Sequence, residues 1–132
     1  MALGVLIVDD NSLFLEAARD RLEGEGLRVV GVAATSAEAL RRAEELRPEV
    51  VLVDVMLGGE SGFELARRLA ARNRDDGPAV ILISTYSAAD FARPIAESRA
   101  TGFLPKQDLS ADAIRRIVDG RGPAGAPGAP AR

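Results

Sequence analysis

The chain has 132 residues, 47% of them hydrophobic and 28% charged, with a formal net charge of −3, which fits one compact domain with a core of its own and leaves no room for a second. It contains neither cysteine nor histidine, so disulfide frameworks, zinc clusters, Ser-His or Cys-His triads and His-based proton shuttles are excluded, and any bound metal must sit on oxygen ligands. A mildly acidic balance without a basic block argues against nucleic acid as a direct partner, and the lack of a signal-like N-terminus or a membrane-length apolar run points to the cytoplasm and to no membrane partner.

Five strand-then-helix pairs follow in chain order. Gly4 to Val8 (GVLIV) is too short and too β-branched for a helix. The next stretch, Ser12 to Glu25, carries Leu13, Ala17 and Leu22 near helical spacing, with Ser12 as the expected cap and Gly24 and Gly26 closing it. Arg28 to Ala33 is the second strand. The second helix opens at Ser36, carries Ala37, Leu40, Ala43 and Leu46, and stops before Pro48. Val50 to Val53 is the third strand, running into Asp54. Gly58, Gly59, Ser61 and Gly62 make a flexible turn, followed by a helix with Phe63, Leu65, Ala66 and Leu69 on one face, ending near Asn73.

After the connector Asp75 to Pro78, the strand Ala79 to Ile83 is the most apolar run and is expected to be central or nearly so. Ser87 to Ala100 has helical spacing at Phe91, Ile95 and Ala96, but Pro94 fits only in a first turn or at a kink, so this helix is expected to be short and mobile. Gly102 to Leu104 is the fifth strand. Ser110 caps a last helix patterned by Ile114, Ile117 and Val118 and ending at Gly120. The remaining segment, 120–132 (GRGPAGAPGAPAR), reads as a disordered Pro/Gly/Ala-rich tail or a truncated linker. Repeated right-handed βα units give a doubly wound, open parallel sheet with helices on both faces and its functional groups at the carboxyl ends of the strands.

Those ends collect Asp9 and Asp10 after the first strand, Asp54 after the third, Ser84 and Thr85 after the fourth, and Lys106 after the fifth. Three neighbouring carboxylates repel one another and call for a cation. Without His or Cys that cation must be hard and oxygen-loving, which selects Mg²⁺, or Mn²⁺. An ammonium and a hydroxyl beside such a cation form a clamp for phosphoryl oxygens, and Asp54 is the candidate nucleophile. Each residue also has a plainer reading: an Asp pair that only prefers a turn, strand-end hydroxyls, a solvated lysine. Asp54 resists it best, because a charge abutting the buried run VVLV is costly unless paired. Lys106 resists it too, being the one lysine among 17 basic residues, which suggests a need for a compact point charge where the arginine fork would not fit.

Four segments, LIVDDN (6–11), VLVDVML (51–57), ILIS (81–84) and GFLPK (102–106), resemble in order and spacing the receiver domains of two-component response regulators, over residues 3 to 119. The resemblance implies a flavodoxin-like (βα)5 fold of strand order 2-1-3-4-5. It implies Asp54 as phosphoacceptor, with Mg²⁺ held by Asp10, by Asp9 through water, by Asp54 and by the Met56 backbone carbonyl. Ser84 and Lys106 would bind the phosphoryl oxygens, and Ser84 and Phe103 would act as the switch that reshapes the face of helix four, strand five and helix five. The implied donor is a histidine kinase or phosphotransfer protein. Homodimerisation would use helix one with helix five, or the helix-four face.

Some positions depart from the family pattern. Gly58 replaces a usual proline, so the turn from Asp54 to Gly62 is expected to be looser. Pro105 precedes Lys106 and Gln107 follows it, a form similar to receivers joined to helix-turn-helix output domains. Arg99 stands where glycine is common, which makes the end of helix four atypical. Phe103 replaces a commoner tyrosine, and Met56 and Tyr86 lie at positions that, by the resemblance, tune phosphoryl lifetime in the family.

Two other functions compete with the phosphoacceptor. A phosphate-independent pseudo-receiver would serve as a docking or dimerisation module, but the complete Asp9, Asp10, Asp54, Ser84, Lys106 set argues against it. A Mg²⁺-dependent phosphohydrolase would want an acid-base Asp two residues after the nucleophile, where this chain has Met56, and it would need a cap domain. The chain is therefore expected to catalyse only its own phosphorylation and dephosphorylation.

Overall fold

A computed structural model describes residues 3–72 and 77–121. Short runs of Val, Leu and Ile with no polar alternation can satisfy both their backbone groups and their side chains only in a sheet covered on both faces. They do so as β1 (Gly4–Val8), β2 (Arg28–Ala33), β3 (Val50–Asp54), β6 (Ala79–Ser84) and β7 (Gly102–Pro105). All pairings are parallel and the order is β2-β1-β3-β6-β7, which is 2-1-3-4-5 when the strands of this sheet alone are counted. The expected fold is thus the one adopted, with β3 central and the most apolar strand, β6, beside it.

Alternate side chains divide the core in two. Val5 and Ile7 of β1 pack with Ala18 and Leu22 of α1 (Ser12–Gly24) and Ile114 of α5 (Ala111–Arg121). Leu6 and Val8 point the other way, against Ala39 of α2 (Ser36–Leu46) and Leu65, Ala66 and Leu69 of α3 (Gly62–Arg72). Each fully buried Leu or Ile removes enough apolar surface to contribute about 2 kcal/mol. The two clusters together fix strand register, since a one-residue slip would exchange their contents.

Several local readings are refined. Asn11, not Ser12, caps α1: it is extended, and its side chain accepts from the backbone N–H of Leu13 and Phe14. Ser12 is already the first helical residue. At the other end, Gly26 has φ +98 where the chain leaves the helix, as only a residue without Cβ does easily. The stretch after Ser87 begins as a 3-10 turn over Ala88–Phe91 and becomes α4 only over Ala92–Ser98, with Pro94 in its first turn where no N–H is needed. Arg99 ends α4 in the left-handed region at φ 65, the conformation for which glycine is the usual choice. Ser110 does cap α5, its hydroxyl accepting from Ala113 N–H at 3.0 Å.

The segment after Asp54 is a hairpin rather than an irregular flexible turn. β4 (Met56–Leu57) pairs antiparallel with β5 (Glu60–Ser61) around Gly58 and Gly59, with Gly58 at φ +59. Glycine in place of proline therefore supplies a conformation that the tight hairpin uses. The expected end of the third helix near Asn73, part of the Asp75 to Pro78 connector, and the tail from 122 onward lie outside the described residues.

The hairpin closes where Gly62 N–H donates to Val55 O at 2.9 Å, and a Cβ on Gly62 would lie 1.9 Å from the Asp54 carbonyl oxygen and 2.7 Å from Val55 Cα. Both obstacles are backbone and cannot rotate away. Gly62→Ala is expected to lower stability by roughly 3 kcal/mol in urea denaturation, near the upper end for overpacking. Gly59→Ala, where nothing lies within 4 Å, should stay within about 0.5 kcal/mol of the parent.

Candidate functional site

The carboxyl ends of β1, β3, β6 and β7 lie side by side, so residues far apart in sequence meet at one edge of the sheet. Asp9 follows β1 and is fully buried; its backbone N–H donates to Ala33 O at 2.9 Å, and its Oδ1 accepts from Asn11 N–H at 2.9 Å. Asp54 ends β3 and is 8% exposed, with Oδ1 accepting from Met56 N–H at 3.2 Å. Lys106 follows β7 and reaches back to both, its Nζ 2.7 Å from Asp9 Oδ2 and 3.2 Å from Asp54 Oδ2. Only the Asp54 contact has hydrogen-bond geometry. Asp9 Oδ2 is buried and makes no hydrogen bond among the described residues, although the ammonium charge is beside it.

These contacts set the electrostatics. Burial and the neighbouring Asp9 charge push the Asp54 carboxyl above its ordinary pKa, against the opposing pull of Met56 N–H and Lys106. For Lys106 burial is the largest single influence and acts to lower the pKa, but the two carboxylates together outweigh it and leave the ammonium more firmly protonated than usual. One cation therefore serves two carboxylates.

Asp10 is exposed, yet one of its carboxylate oxygens, one from Asp9 and one from Asp54 all lie within 4.8 Å of one another. Hard oxygen donors at this spacing, one of them buried without a hydrogen-bond partner, suit a small divalent cation such as Mg²⁺. Ser84, at the end of β6 and 1% exposed, accepts from Tyr86 N–H at 2.9 Å, which leaves its hydroxyl proton free to donate. Met56 exposes its side chain at the rim while its backbone orients Asp54. Phe103 lies on β7 and packs against the same core cluster as Phe91, Ile95 and Ala100. A buried carboxylate with a fixed cation and a free hydroxyl proton nearby can act as a nucleophile toward an anionic group whose charge the surroundings accept.

Residues 5–119 match the response regulator receiver domain family. This chain belongs to the response regulator receiver domains. Response regulator GacA of Pseudomonas viridiflava is 32% identical over 114 residues, spanning 86% of this chain and 52% of that protein. A protein-glutamate methylesterase/protein-glutamine glutaminase of Hahella chejuensis is 33% identical over 106 residues, 79% of this chain and 30% of that protein. Among solved structures, the signal receiver domain of the response regulator NarL from Mycobacterium tuberculosis superposes with a TM-score of 0.79 at 27% identity, covering 91% of this chain and 98% of that one. The receiver domain described here thus spans about half the length of the GacA relative and less of the methylesterase, so receivers of this type occur in longer proteins with different outputs. No helix among its described residues is long and apolar enough to cross a membrane.

The receiver site contains residues that motif reading passed over. Asn11 both caps α1 and holds Asp9, and an Asn just before an apolar-periodic run is a signal that could have identified the cap. Gly62 borders Asp54 at a distance no side chain allows. Phe14 places its ring 4.3 Å from Lys106 Nζ, a contact between residues far apart in the chain that no local pattern announces.

An acid whose pKa is raised by folding binds its proton more tightly in the native state, so stability is lost as pH rises through the interval from the unfolded to the folded pKa. In chelator-treated buffer, Asp54→Asn is therefore expected to be more stable than the parent at pH 7. The difference should shrink toward zero below about pH 4, where the parent Asp54 is protonated in both states. Urea titrations between pH 7 and 3.5 measure this, and a pH-independent difference would remove ionisation of Asp54 as its source.

Proposed function

We propose that this receiver domain is a phosphoacceptor, taking a phosphoryl group onto Asp54 from a histidine kinase or phosphotransfer protein and passing on its state by a change of surface. The observation that carries the reading is the Lys106 ammonium between the buried Asp9 and Asp54 carboxylates, 2.7 and 3.2 Å from their oxygens. Asp9, Asp10, Asp54 and the Met56 carbonyl would hold Mg²⁺, with Mn²⁺ as the alternative, and the ion would neutralise charge shared by the carboxylates and the phosphoryl oxygens.

Within this reading an Asp54 carboxylate oxygen attacks phosphorus. The P–O bond forms as the donor's P–N bond breaks, and the electron pair leaves on the imidazole, which takes a proton from solvent. Lys106 exchanges its Asp54 contact for a phosphoryl oxygen, and the free hydroxyl proton of Ser84 bonds another. Attack by water on the same phosphorus later releases inorganic phosphate and restores the carboxylate. These are reactions of the domain on itself, so it is not an enzyme toward outside substrates. Ser84 and Phe103 act as the switch, shifting the population between two conformers. The face of α4, β7 and α5 meets the partner, and a homodimer would form through that face or through α1 with α5. The receiver unit runs from residue 3 to the end of α5 at Arg121, two residues past the boundary of 119 read from the sequence; no direct contact with nucleic acid is part of this proposal.

Incubation with acetyl phosphate and Mg²⁺ is expected to add one phosphoryl mass to the parent and none to Asp54→Asn or to a chelated control, as read by intact mass spectrometry. Label on another residue of the variant would overturn the assignment. Lys106→Arg should form the adduct more slowly, since a planar fork replaces a point charge. At ten times its dissociation constant, Mg²⁺ should raise the parent's stability by about 1.4 kcal/mol and that of Asp54→Asn by less.

A further inference from the structure

We propose that Phe14 is a positioning residue for phosphoryl transfer, its ring face holding the Lys106 ammonium in place while that cation exchanges Asp54 for a phosphoryl oxygen. The inference rests on the reading of Asp54 as phosphoacceptor and adds to it a residue that touches neither donor nor phosphate.

Lys106 Nζ has three donor directions. One is turned to Asp54 Oδ2 at 3.2 Å; Asp9 Oδ2 lies 2.7 Å away as an ion pair without hydrogen-bond geometry, and the Phe14 ring centroid stands 4.3 Å away. An ammonium on a four-carbon stem is strongly hydrated and has many rotamers, so something must hold it out of water. The negative face of an aromatic ring does this by attraction, without an acceptor oxygen. A polar side chain at position 14 would bind one of the remaining donors in one direction and resist the rotation that transfer requires. An aliphatic one would fill the space but leave the charge unattended. The ring attracts the cation while letting it turn.

Phe14 is itself held. It is half-buried against the cluster that includes Leu22, Leu104 and Ile114. Its backbone N–H donates to Asn11 Oδ1 at 3.2 Å, and Asn11 N–H donates to Asp9 Oδ1 at 2.9 Å. Asp9, Asn11, Phe14 and Lys106 thus form a closed circuit in which the helix cap that fixes the ring also fixes the carboxylate beside the cation. Asp54 is the one partner of Lys106 outside the circuit, and it is the partner the cation must give up.

The test replaces Phe14 with 4-fluoro-, 3,5-difluoro- and 3,4,5-trifluorophenylalanine, which nearly preserve shape while weakening the ring face step by step. With acetyl phosphate and Mg²⁺, the rate of adduct formation on Asp54 is expected to fall progressively, by about threefold to tenfold across the series. Phe14→Tyr and Phe14→Trp should remain within about twofold of the parent and Phe14→Leu should lie at the bottom. Leu13→Ala, at the exposed neighbour, serves as the control. In the unphosphorylated parent, the Lys106 ε-methylene protons should show an upfield ring-current shift that Phe14→Leu abolishes. A flat fluorine series with normal adduct formation would reduce Phe14 to packing, and unshifted Lys106 protons would remove the contact itself. Absence of any adduct in the parent would instead overturn the phosphoacceptor reading and the role of Phe14 with it. Should Phe14→Leu fail to fold, the fluorinated series still decides.

Discussion

Two carboxylates drawn into the end of a sheet would repel each other and suffer from lost hydration, and in this receiver domain one ammonium reconciles them. Lys106 Nζ lies 2.7 Å from Asp9 and 3.2 Å from Asp54. A buried charge of this kind is tolerated only when paired, so the position of β7, which delivers the lysine, and the positions of β1 and β3, which deliver the acids, are bound together by electrostatics as well as by hydrogen bonds. The compensation is incomplete. Asp54 still has a raised pKa through burial and the Asp9 charge, and Asp9 Oδ2 still lacks a hydrogen bond. The site is thus stable enough to exist and retains demand for further positive charge.

The surrounding fold holds this cluster on rigid supports. Asp54 is the last residue of a strand whose preceding residues are all fully buried. Directly after it, Val55 N–H bonds Ile83 O and the β4–β5 hairpin folds back so closely that Gly62 meets the Asp54 backbone. On the opposite side Asn11 joins the start of α1 to Asp9. Asp9 and Asp54 are thus held by backbone hydrogen bonds on both sides, while Asp10 stays exposed.

The choice of lysine among so many arginines gains a physical account from this geometry. The cation sits in a space bounded by two carboxylates and a ring, where a compact group with rotatable donors can serve each in turn. A guanidinium carries its donors in a fixed plane and would favour one carboxylate in a two-pronged pairing.

The sequence by itself determined the layers. Unbroken apolar runs alternating with helical spacing allow only a two-sided parallel sheet, and strand ends are the places where polar residues interrupt those runs, so Asp9, Asp10, Asp54, Ser84 and Lys106 stand out from local pattern as a polar set at one edge of the sheet, where the structure brings Asp9, Asp10, Asp54 and Lys106 together. What happens beyond the span of one element was decided by tertiary structure. Asn11 instead of Ser12 caps α1 because the chain enters the helix in the direction set by Asp9. Gly58 turns the hairpin, Gly62 starts α3 against the Asp54 backbone, and Arg99 accepts a left-handed backbone where α4 meets the turn into β7. Phe14 meets Lys106 only because α1 packs on the sheet face that carries Leu104 of β7, just before the lysine. Local pattern reports which residues face inward; the partner each one finds there depends on separations in space that periodicity does not encode.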